Sequence, residues 1–599
     1  MKTFLTIGSI CITFGAFAQL PEAIKLTDNE QFEKATAVFK RIVESSPTSG
    51  EAWFYLGENY FAEDRSDSAE AAYRRGIQVN PTYALNYAGL GKVLHEQGKA
   101  TEAQAQFAKA TETAELKSNK YSKAQIAATY REEAEGLVAG KQPDHAAALV
   151  LIKKAIDLYP KDPEAYILKG DVQFDQNPRD GSAPLENYKQ AMQLDPLNAK
   201  PVARKAFMYY RAKNFPSSIE EYTNAITLDP GFAPAYRGRA EAYFMARDFD
   251  KANADMQKYL QLNSGSTSAR VRNAQFLFLV KKYDQSLSEI QALENEGVKN
   301  MVLKRLKAFD LTEKGDFAAA NTTMKEYFAE QPTDKVISLD YEYQGKIYQG
   351  LAKDLEKNPP INIDPNGTAQ VNGDVAHYAG STPNADGSTT VSFKLAPYDS
   401  LAAEMYLKAA RMDKAKDYLY LEAAKAFTDA KAYGKAVSAM QEKINAGKPE
   451  VNDWYYLGAM ANRAKMYQTA DSAWAEYIAK QPNIYQGYLY RARARAGMDT
   501  AEVKTWSAKP YYEEVIRKMK PEEQDGHKAD LEEAYNYMGL FYLYNEAGMD
   551  RAKAKCWFEK VSALGAGTSI TQQVDETFLK MKELKSVEPS DCELSSVPK

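Results

Sequence analysis

The residue types that most often carry catalysis or hold metal ions are few in this 599-residue chain, and they lie far apart. Its four histidines, His95, His145, His377 and His527, have no spacing that would bring two metal ligands together on one helix or loop. No phosphate-binding loop, zinc-protease, Cys-x-x-Cys or nucleophile-elbow motif occurs. The sequence therefore predicts a protein that is not an enzyme and that holds no metal and no cofactor.

The cysteines allow at most one further kind of chemistry, a disulfide. Cys11 lies in the apolar N-terminal stretch, which leaves Cys556 and Cys592. In an oxidising compartment these two thiols can pair. In the alternative interpretation both are unpaired, one buried in a helix and one in a loose tail. Because the sequence does not give the distance between them, both interpretations stay open.

The N-terminus has the pattern of an export signal. Lys2 precedes an apolar run that ends in Ala16-Phe17-Ala18, and this run is short for a bilayer span, which needs about 20 apolar residues. We predict a signal peptide over residues 1–18, cleavage after Ala18, and an exported protein of the periplasm or the outer-membrane region. No later segment is apolar enough to span a membrane, and a net charge of −5 gives no reason to expect nucleic acid as a partner.

The helices that would position any functional residue follow a pattern that recurs along the chain. Trp53, Leu56 and Tyr60 lie at spacings of three and four, which places them on one face of a helix. A second helix supplies the large ring of Tyr73 and ends before Pro81, because proline cannot continue the hydrogen-bond ladder. The same offsets return about 34 residues later and then through most of the chain.

This pattern resembles the tetratricopeptide repeat. The resemblance implies an all-α fold, a right-handed α-solenoid of about 13 helix hairpins, because one hairpin cannot bury its apolar face alone while a stack can. We predict an N-terminal repeat array over 19–334 and a repeat at 335–412 that is interrupted by an insert. A C-terminal array follows over 413–567, with a terminal helix and a flexible tail over 568–599.

The insert at residues 358–397 is the one long segment that leaves the pattern. It is rich in Asn, Gly, Pro, Asp and Thr, so we predict that it is not helical. Within it "TTVSFKL" alternates like a short strand and can form a hairpin with "AQVNGDVAHY". A role in partner contact and a role as a flexible tether or family ornament are both open.

The resemblance also implies that the first helix of each pair lines a groove. By offset, its inward positions hold guanidinium and aromatic groups, which can fork onto a carboxylate and cover the stem of an extended peptide. The predicted partner-binding groove comprises Arg204, Phe207, Tyr210, Arg211, Arg237, Phe244, Arg272, Phe278, Arg305 and Phe309. The hypothesised ligand is an extended acidic peptide or a chain terminus. In the alternative interpretation the arginines pair with acidic groups on adjacent helices, such as Glu241.

The predicted function is a non-catalytic protein–protein interaction scaffold of the bacterial cell envelope. Its partners are other proteins, including subunits of envelope complexes, within outer-membrane assembly, secretion or cell-wall machinery. That context rests on fold and predicted export, not on a site. Two alternatives remain: a solenoid that binds envelope glycan or peptidoglycan through groove aromatics, and an enzyme whose chemistry lies in the 358–397 insert.

Overall fold

The computed structural model describes residues 19–357, 368–371, 374–383, 389–394, 398–500 and 503–594. The predicted signal peptide at 1–18 lies outside these residues, as do parts of the insert and the last five residues of the predicted tail. Within the described residues successive helices pair into hairpins, and the predicted all-α solenoid of hairpins is confirmed. None of the described helices has the length and apolar character needed to cross a membrane.

The chain divides into two compact units, Met1–Leu306 and Lys307–Lys599. The helices of the first unit, the last of which continues past Leu306, are α1 Leu20–Asp28, α2 Phe32–Ser45, α3 Gly50–Ala62, α4 Ser66–Val79, α5 Leu85–Glu96, α6 Ala100–Glu115, α7 Lys123–Leu137, α8 His145–Leu158, α9 Pro163–Gln176, α10 Ser182–Leu194, α11 Ala199–Arg211, α12 Phe215–Leu228, α13 Ala233–Met245, α14 Phe249–Leu262, α15 Thr267–Leu279, α16 Tyr283–Asn295 and α17 Met301–Glu313.

The second unit contains the remaining helices and a small sheet. Its helices are α18 Phe317–Glu330, α19 Ser338–Lys357, α20 Tyr398–Met412, α21 Tyr418–Asp429, α22 Tyr433–Ala446, α23 Val451–Arg463, α24 Tyr467–Lys480, α25 Tyr485–Met498, α26 Lys509–Lys518, α27 Pro521–Gln524, α28 Lys528–Tyr544, α29 Arg551–Leu564, α30 Ser569–Glu576 and α31 Lys582–Lys585. The insert lies between α19 and α20, which pair with each other in spite of it.

Ring-on-glycine packing explains why these residues form hairpins. The Tyr73 side chain is fully buried, and its ring lies between two glycines. A Cβ added at Gly57, on the partner helix α3, would lie 2.4 Å from the Tyr73 ring, and a Cβ at Gly89, on α5 of the next hairpin, would lie at the same distance. The small residues of the repeat therefore make room for the large one, both within a pair and between pairs.

The turn inside a hairpin also repeats. Between the first and second helix of several pairs one residue adopts a left-handed backbone, among them Glu30 (φ 59°), Asp64 (φ 59°), Lys213 (φ 58°) and Arg247 (φ 64°). This conformation lets the chain reverse within three residues, because a right-handed residue there would continue the helix. The turn carries Glu30 into the site described below.

The insert contains a three-stranded antiparallel sheet, β1 Thr368–Val371, β2 Asp374–Pro383 and β3 Thr389–Lys394, in the order β1-β2-β3. β2 pairs with β3 in the register His377 opposite Lys394, with an irregularity between Tyr378 and Gly380. The "TTVSFK" segment is therefore a strand, as its alternation predicted, and its partner strand includes "DVAHY".

Candidate binding site

Two predicted groove positions of the first unit meet a segment that lies far away in sequence. Arg237 on α13 and Arg272 on α15 both contact Glu30, which lies in the turn between α1 and α2. The contact joins residues 207 and 242 positions apart. The first hairpin therefore packs against the helices of much later hairpins within the same unit.

The carboxylate of Glu30 is bound from several directions. Arg237 donates from Nη2 to Oε1 at 2.8 Å, and Arg272 donates from Nη1 to Oε2 at 2.6 Å. The Tyr259 hydroxyl on α14 donates to Oε2 at 2.9 Å. We call these four residues the Glu30 site. Charge-assisted hydrogen bonds of this kind are short and strong, and they fix the orientation of the carboxylate.

The electrostatics of the Glu30 site favour the ionised acid. Burial alone would raise the pKa of Glu30, but Arg237 and Arg272 outweigh it and hold that pKa below its usual value. The same contact raises the pKa of Arg237, against the effect of burial. Arg237 also pairs with Glu241 one turn along α13, at 3.2 Å, so this acid lies on the same helix and not on an adjacent one as the alternative interpretation expected. The site therefore holds one ionised carboxylate, that of Glu30.

Further polar contacts hold the first hairpin next to the Glu30 site. Glu33 accepts hydrogen bonds from the backbone N–H groups of Thr267 at 2.6 Å and Ser268 at 3.4 Å, at the start of α15. The Lys34 ammonium donates to the carbonyl of Leu262, at the end of α14, at 3.3 Å. Each charge thus lies at the helix end whose dipole it complements.

A cavity of about 380 Å³ adjoins the Glu30 site. On the α11 side, Arg204 pairs with Asp171 of α9 at 3.0 Å, and Lys200 binds Glu164 of the same helix at 2.7 Å. Phe207, with 36% of its surface exposed, is an apolar part of the wall. The residues that line the cavity are Asp28, Glu30, Phe32, Ala62, Lys200, Ala203, Arg204, Phe207, Tyr222, Phe232, Pro234, Arg237, Gly238, Glu241 and Arg272.

The other predicted aromatic residues lie mostly at hairpin turns. Phe244 and Phe278 each contact the first residue of the following helix, with ring centroids 5.7 Å and 6.0 Å apart. Tyr210 makes the same kind of contact with Phe215 at 6.0 Å, and it also stacks on Phe207. These rings do not line the cavity. Their regular placement fixes the turn of each hairpin.

The remaining predicted residues are also outside the cavity. The guanidinium of Arg211 lies over the rings of Phe174 and Phe207, at 5.9 Å and 5.8 Å from their centroids. Arg305 is half-buried on α17. Phe309 is only 3% exposed and stacks on Tyr343 at 3.9 Å, so it belongs to a core. Of the predicted set, the structure brings Arg204, Phe207, Arg237 and Arg272 together around the cavity.

A second charged assembly lies on the first helices of earlier hairpins, and we call it the Lys92 cluster. The Lys92 ammonium on α5 contacts Glu58 at 2.8 Å, Glu132 at 2.5 Å and Glu135 at 3.4 Å. The three carboxylates lie close enough to share a metal ion, but the Lys92 side chain, which has no exposed surface, occupies the cation position. Burial, and then the neighbouring Glu58, raise the pKa of Glu132 to about 8.

The two cysteines left open by the sequence are joined in a disulfide. Cys556 lies on α29 and Cys592 near the C-terminus, with Cα atoms 5.8 Å apart. The bond joins positions 36 residues apart in sequence and holds Cys592 against α29. Disulfides persist mainly in oxidising compartments.

Sequence reasoning missed Glu30, although Glu30 is the residue around which the site forms. No local pattern distinguishes it from Asp64, which occupies the equivalent turn of the next hairpin and is exposed. Tyr259 was recognisable only as the large ring of its repeat. An acidic residue at the turn of the first hairpin is a weak signal. It indicates a contact only when a surface remote in sequence is known to be basic.

Comparison with known proteins finds a repeat family in two segments of the chain. The model of the tetratricopeptide repeat family matches residues 20–84 and 208–267, which include Glu30, Arg237 and Tyr259 but not Arg272. No curated protein matches the chain.

Several solved structures resemble parts of the chain. The C-terminal part of a TPR repeat-containing protein from Cytophaga hutchinsonii is 25% identical, with a TM-score of 0.34, and covers 52% of this chain and 100% of its own. Yeast Tom70 is 12% identical, with a TM-score of 0.38, and covers 76% and 96%. A tetratricopeptide repeat protein from Parabacteroides merdae is 19% identical, with a TM-score of 0.28, and covers 44% and 98%. With scores this low, these likenesses carry no argument about function.

Proposed function

We propose that this chain, a tetratricopeptide repeat protein, is a non-catalytic scaffold that binds acidic segments of partner proteins on the cavity face of α11, α13 and α15. The observation that carries the proposal is the Glu30 site, where Arg237, Arg272 and Tyr259 already bind a carboxylate. The hypothesised ligand, an extended acidic peptide or a chain terminus, presents the same group.

The chemistry of the surrounding wall supports a peptide rather than a small ion. Phe207 and Phe232 give the cavity an apolar component beside its charges, and the cavity volume of about 380 Å³ exceeds what a single carboxylate needs. An extended peptide presents alternating side chains, so that acidic groups can bind the guanidinium groups while apolar groups contact the rings. Recognition would thus combine charge with a short apolar contact.

The proposed setting is the bacterial cell envelope, with partners in outer-membrane assembly, secretion or cell-wall machinery. Two observations support it: the signal-like sequence at residues 1–18 and the disulfide between Cys556 and Cys592. Fractionation of cells that express the chain tests the setting directly. We expect the protein in the periplasmic or outer-membrane fraction with Gln19 as its first residue, and recovery of the unprocessed chain with cytoplasmic markers would contradict this.

Crosslinking in the native envelope, followed by identification of the captured proteins, tests the proposed function. The double variant Arg237→Glu/Arg272→Glu should lose the specific partners, because it replaces both cations of the site with repelling charges. The matched control is Arg74→Glu/Arg75→Glu, which makes the same change in charge at two exposed positions of α4 outside the cavity. Equal capture by both double variants would contradict a role for the site.

Glycan binding is a second candidate, and one observation in the second unit favours it. Tyr455 and Tyr456 on α23 line a separate cavity of about 330 Å³ together with Lys425 and Arg463. Aromatic rings at a concave surface can stack on sugar rings. Retention of the protein on purified peptidoglycan, lost in Tyr456→Ala and retained in Arg237→Glu/Arg272→Glu, would support this candidate, whereas no retention would exclude it.

A further inference from the structure

We propose that Glu30 occupies the position that a carboxylate of a partner protein would take. An acidic segment of the partner then binds Arg237, Arg272 and Tyr259 only after the turn between α1 and α2 has moved away from them. The inference rests on the proposed function and adds to it a site of defined chemistry and a step that controls access. In the free protein Glu30 then occupies the binding site, and the affinity for a partner is lowered by the free energy of this internal contact.

The internal contact is mostly polar, with one buried ring: Phe32, at the start of α2, is 3% exposed, and the Arg272 guanidinium lies 5.9 Å from its centroid. The buried apolar residues of α1 and α2, such as Ala23 and Phe39, belong to a cluster formed with α3–α6. Those of α13 and α15, such as Tyr236 and Phe276, belong to a different cluster. Between the two, the contacts include the Glu30 site, the Glu33 hydrogen bonds at the start of α15, and a salt bridge of 3.1 Å between Lys25 and Asp229. Water must replace these charge-assisted contacts when the turn moves away, so opening costs free energy, and that cost is the amount by which the affinity for a partner is lowered.

Movement of the turn between α1 and α2 out of the site would make the cavity more positive, as an acidic ligand requires. Four cations line it, Lys200, Arg204, Arg237 and Arg272, against three carboxylates, Asp28, Glu30 and Glu241. Asp28 and Glu30 lie at the end of α1 and in the turn that follows, so they leave together.

The four cations then face Glu241 alone among the lining groups. Lys200 and Arg204 keep their partners on α9. Arg237 keeps Glu241 at 3.2 Å, so the uncompensated positive charge lies mainly at Arg272, beside Arg237, where the partner's carboxylates would bind.

The decisive variant is Glu30→Gln in the full chain, because it removes the charge of the side chain at this position and retains its size. The probe is a fluorescein-labelled hexaglutamate peptide, and its binding is measured by fluorescence anisotropy at low salt. We expect Glu30→Gln to bind the probe at least ten-fold more tightly than the unaltered chain. Addition of Arg272→Ala to Glu30→Gln should reverse the gain.

The matched control is Asp64→Asn, which removes the same charge at the equivalent left-handed turn position of the second hairpin. It should bind the probe as the unaltered chain does. Circular dichroism of all variants reports whether the helices are retained. Hydrogen exchange at the Thr267 and Ser268 amides reports opening independently of the probe, because Glu33 accepts from both.

Two outcomes would overturn the inference. If Glu30→Gln speeds exchange at Thr267 and Ser268 but does not gain affinity for the probe, the site opens and is not a ligand site. If neither property changes, Glu30 does not control access. Failure of the proposed function looks different: Glu30→Gln gains affinity for the probe, while no native protein is crosslinked through Arg237 and Arg272.

Discussion

The Lys92 cluster and the Glu30 site are both assemblies of cations and carboxylates on the first helices of hairpins, but they differ in where the carboxylates come from. The partners of Lys92 lie on α3 and α7, beside α5 in the stack, and the Lys92 side chain has no exposed surface. The partner of Arg237 and Arg272 comes from the other end of the unit, both arginine side chains are 30% exposed, and a cavity adjoins them.

The origin of the carboxylates and the exposure of the cations together distinguish a structural network from a binding site in a repeat protein. A buried charge whose partners are on adjacent helices is satisfied as soon as the stack forms, and its removal leaves the other charges without compensation. A partly exposed charge next to a cavity, whose closest acidic partner belongs to a remote segment, can exchange that segment for another ligand. Four predictions test this contrast, from the largest expected effect to the smallest.

Replacement of Lys92 by Met should destabilise the first unit by about 4 kcal/mol, because it leaves the buried Glu132 close to the partly exposed Glu58 and Glu135 without the cation between them. Urea unfolding monitored by circular dichroism measures the loss. A cost below about 1 kcal/mol would mean that the cluster contributes little to the stack and would remove the contrast with the Glu30 site.

Replacement of Glu133 by Gln should stabilise the protein by about 2 kcal/mol at pH 8 and change little at pH 5. Burial raises the pKa of Glu133 to about 7, and its carboxylate accepts a hydrogen bond from Thr111 at 2.7 Å rather than a salt bridge. The folded state therefore retains a proton that the unfolded chain releases above about pH 4.5, so stability falls as the pH rises to 7.

The Glu133→Gln variant removes this penalty while Gln still offers an oxygen to Thr111. Thermal melts at pH 5 and pH 8 measure the difference between the variant and the unaltered chain. A gain of equal size at both pH values would contradict the assignment to ionisation of Glu133.

Acidification should open the Glu30 contact, with a loss of about 1 kcal/mol of its stabilisation. Because the folded pKa of Glu30 is lowered, its contribution is present above the unfolded value of 4.5 and is lost as the pH falls through the folded value. Protection factors at Thr267 and Ser268 should therefore decrease below pH 4.5. The Glu30→Gln variant should show no such pH dependence from this group, and the same dependence in both proteins would contradict the prediction.

Replacement of Arg74 by Ala should change stability by less than about 0.5 kcal/mol, although Arg74 and Glu70 form an ion pair at 2.7 Å. Arg74 is 55% exposed, so water and salt screen the pair, and Glu70 also accepts a hydrogen bond from Gln97 at 3.3 Å that the substitution leaves in place. Urea unfolding under the conditions used for Lys92→Met provides the comparison. A cost above 1 kcal/mol would show that exposure does not separate the two classes of charge in this protein.

The hairpins and several features of their packing were predictable from the sequence. Trp53, Leu56 and Tyr60 indicated the face of a helix, and the spacing of Gly57 and Tyr73 indicated the close approach that the structure has. The strand within "TTVSFKL" was predictable from its alternation. These features depend on residues a few positions apart or on neighbouring helices, so the local pattern contains the information.

The candidate site was predictable only in part. Arg204, Phe207, Arg237 and Arg272 were identified by their offsets within the repeat and do line one cavity. Phe309 was also identified by offset, but it packs into a core against Tyr343. Offset gives the direction of a side chain from its helix, but it does not show whether a neighbouring ring covers that side chain.

The amino-acid pattern alone was enough to predict helical hairpins with a non-helical insert, and the large and small positions of each hairpin. The contacts of Glu30 with Arg237 and Arg272, and of Cys556 with Cys592, are visible only in the folded chain. The physical reason is that the sequence pattern fixes each hairpin against its neighbour, while the meeting of remote residues depends on small rotations that accumulate over many hairpins.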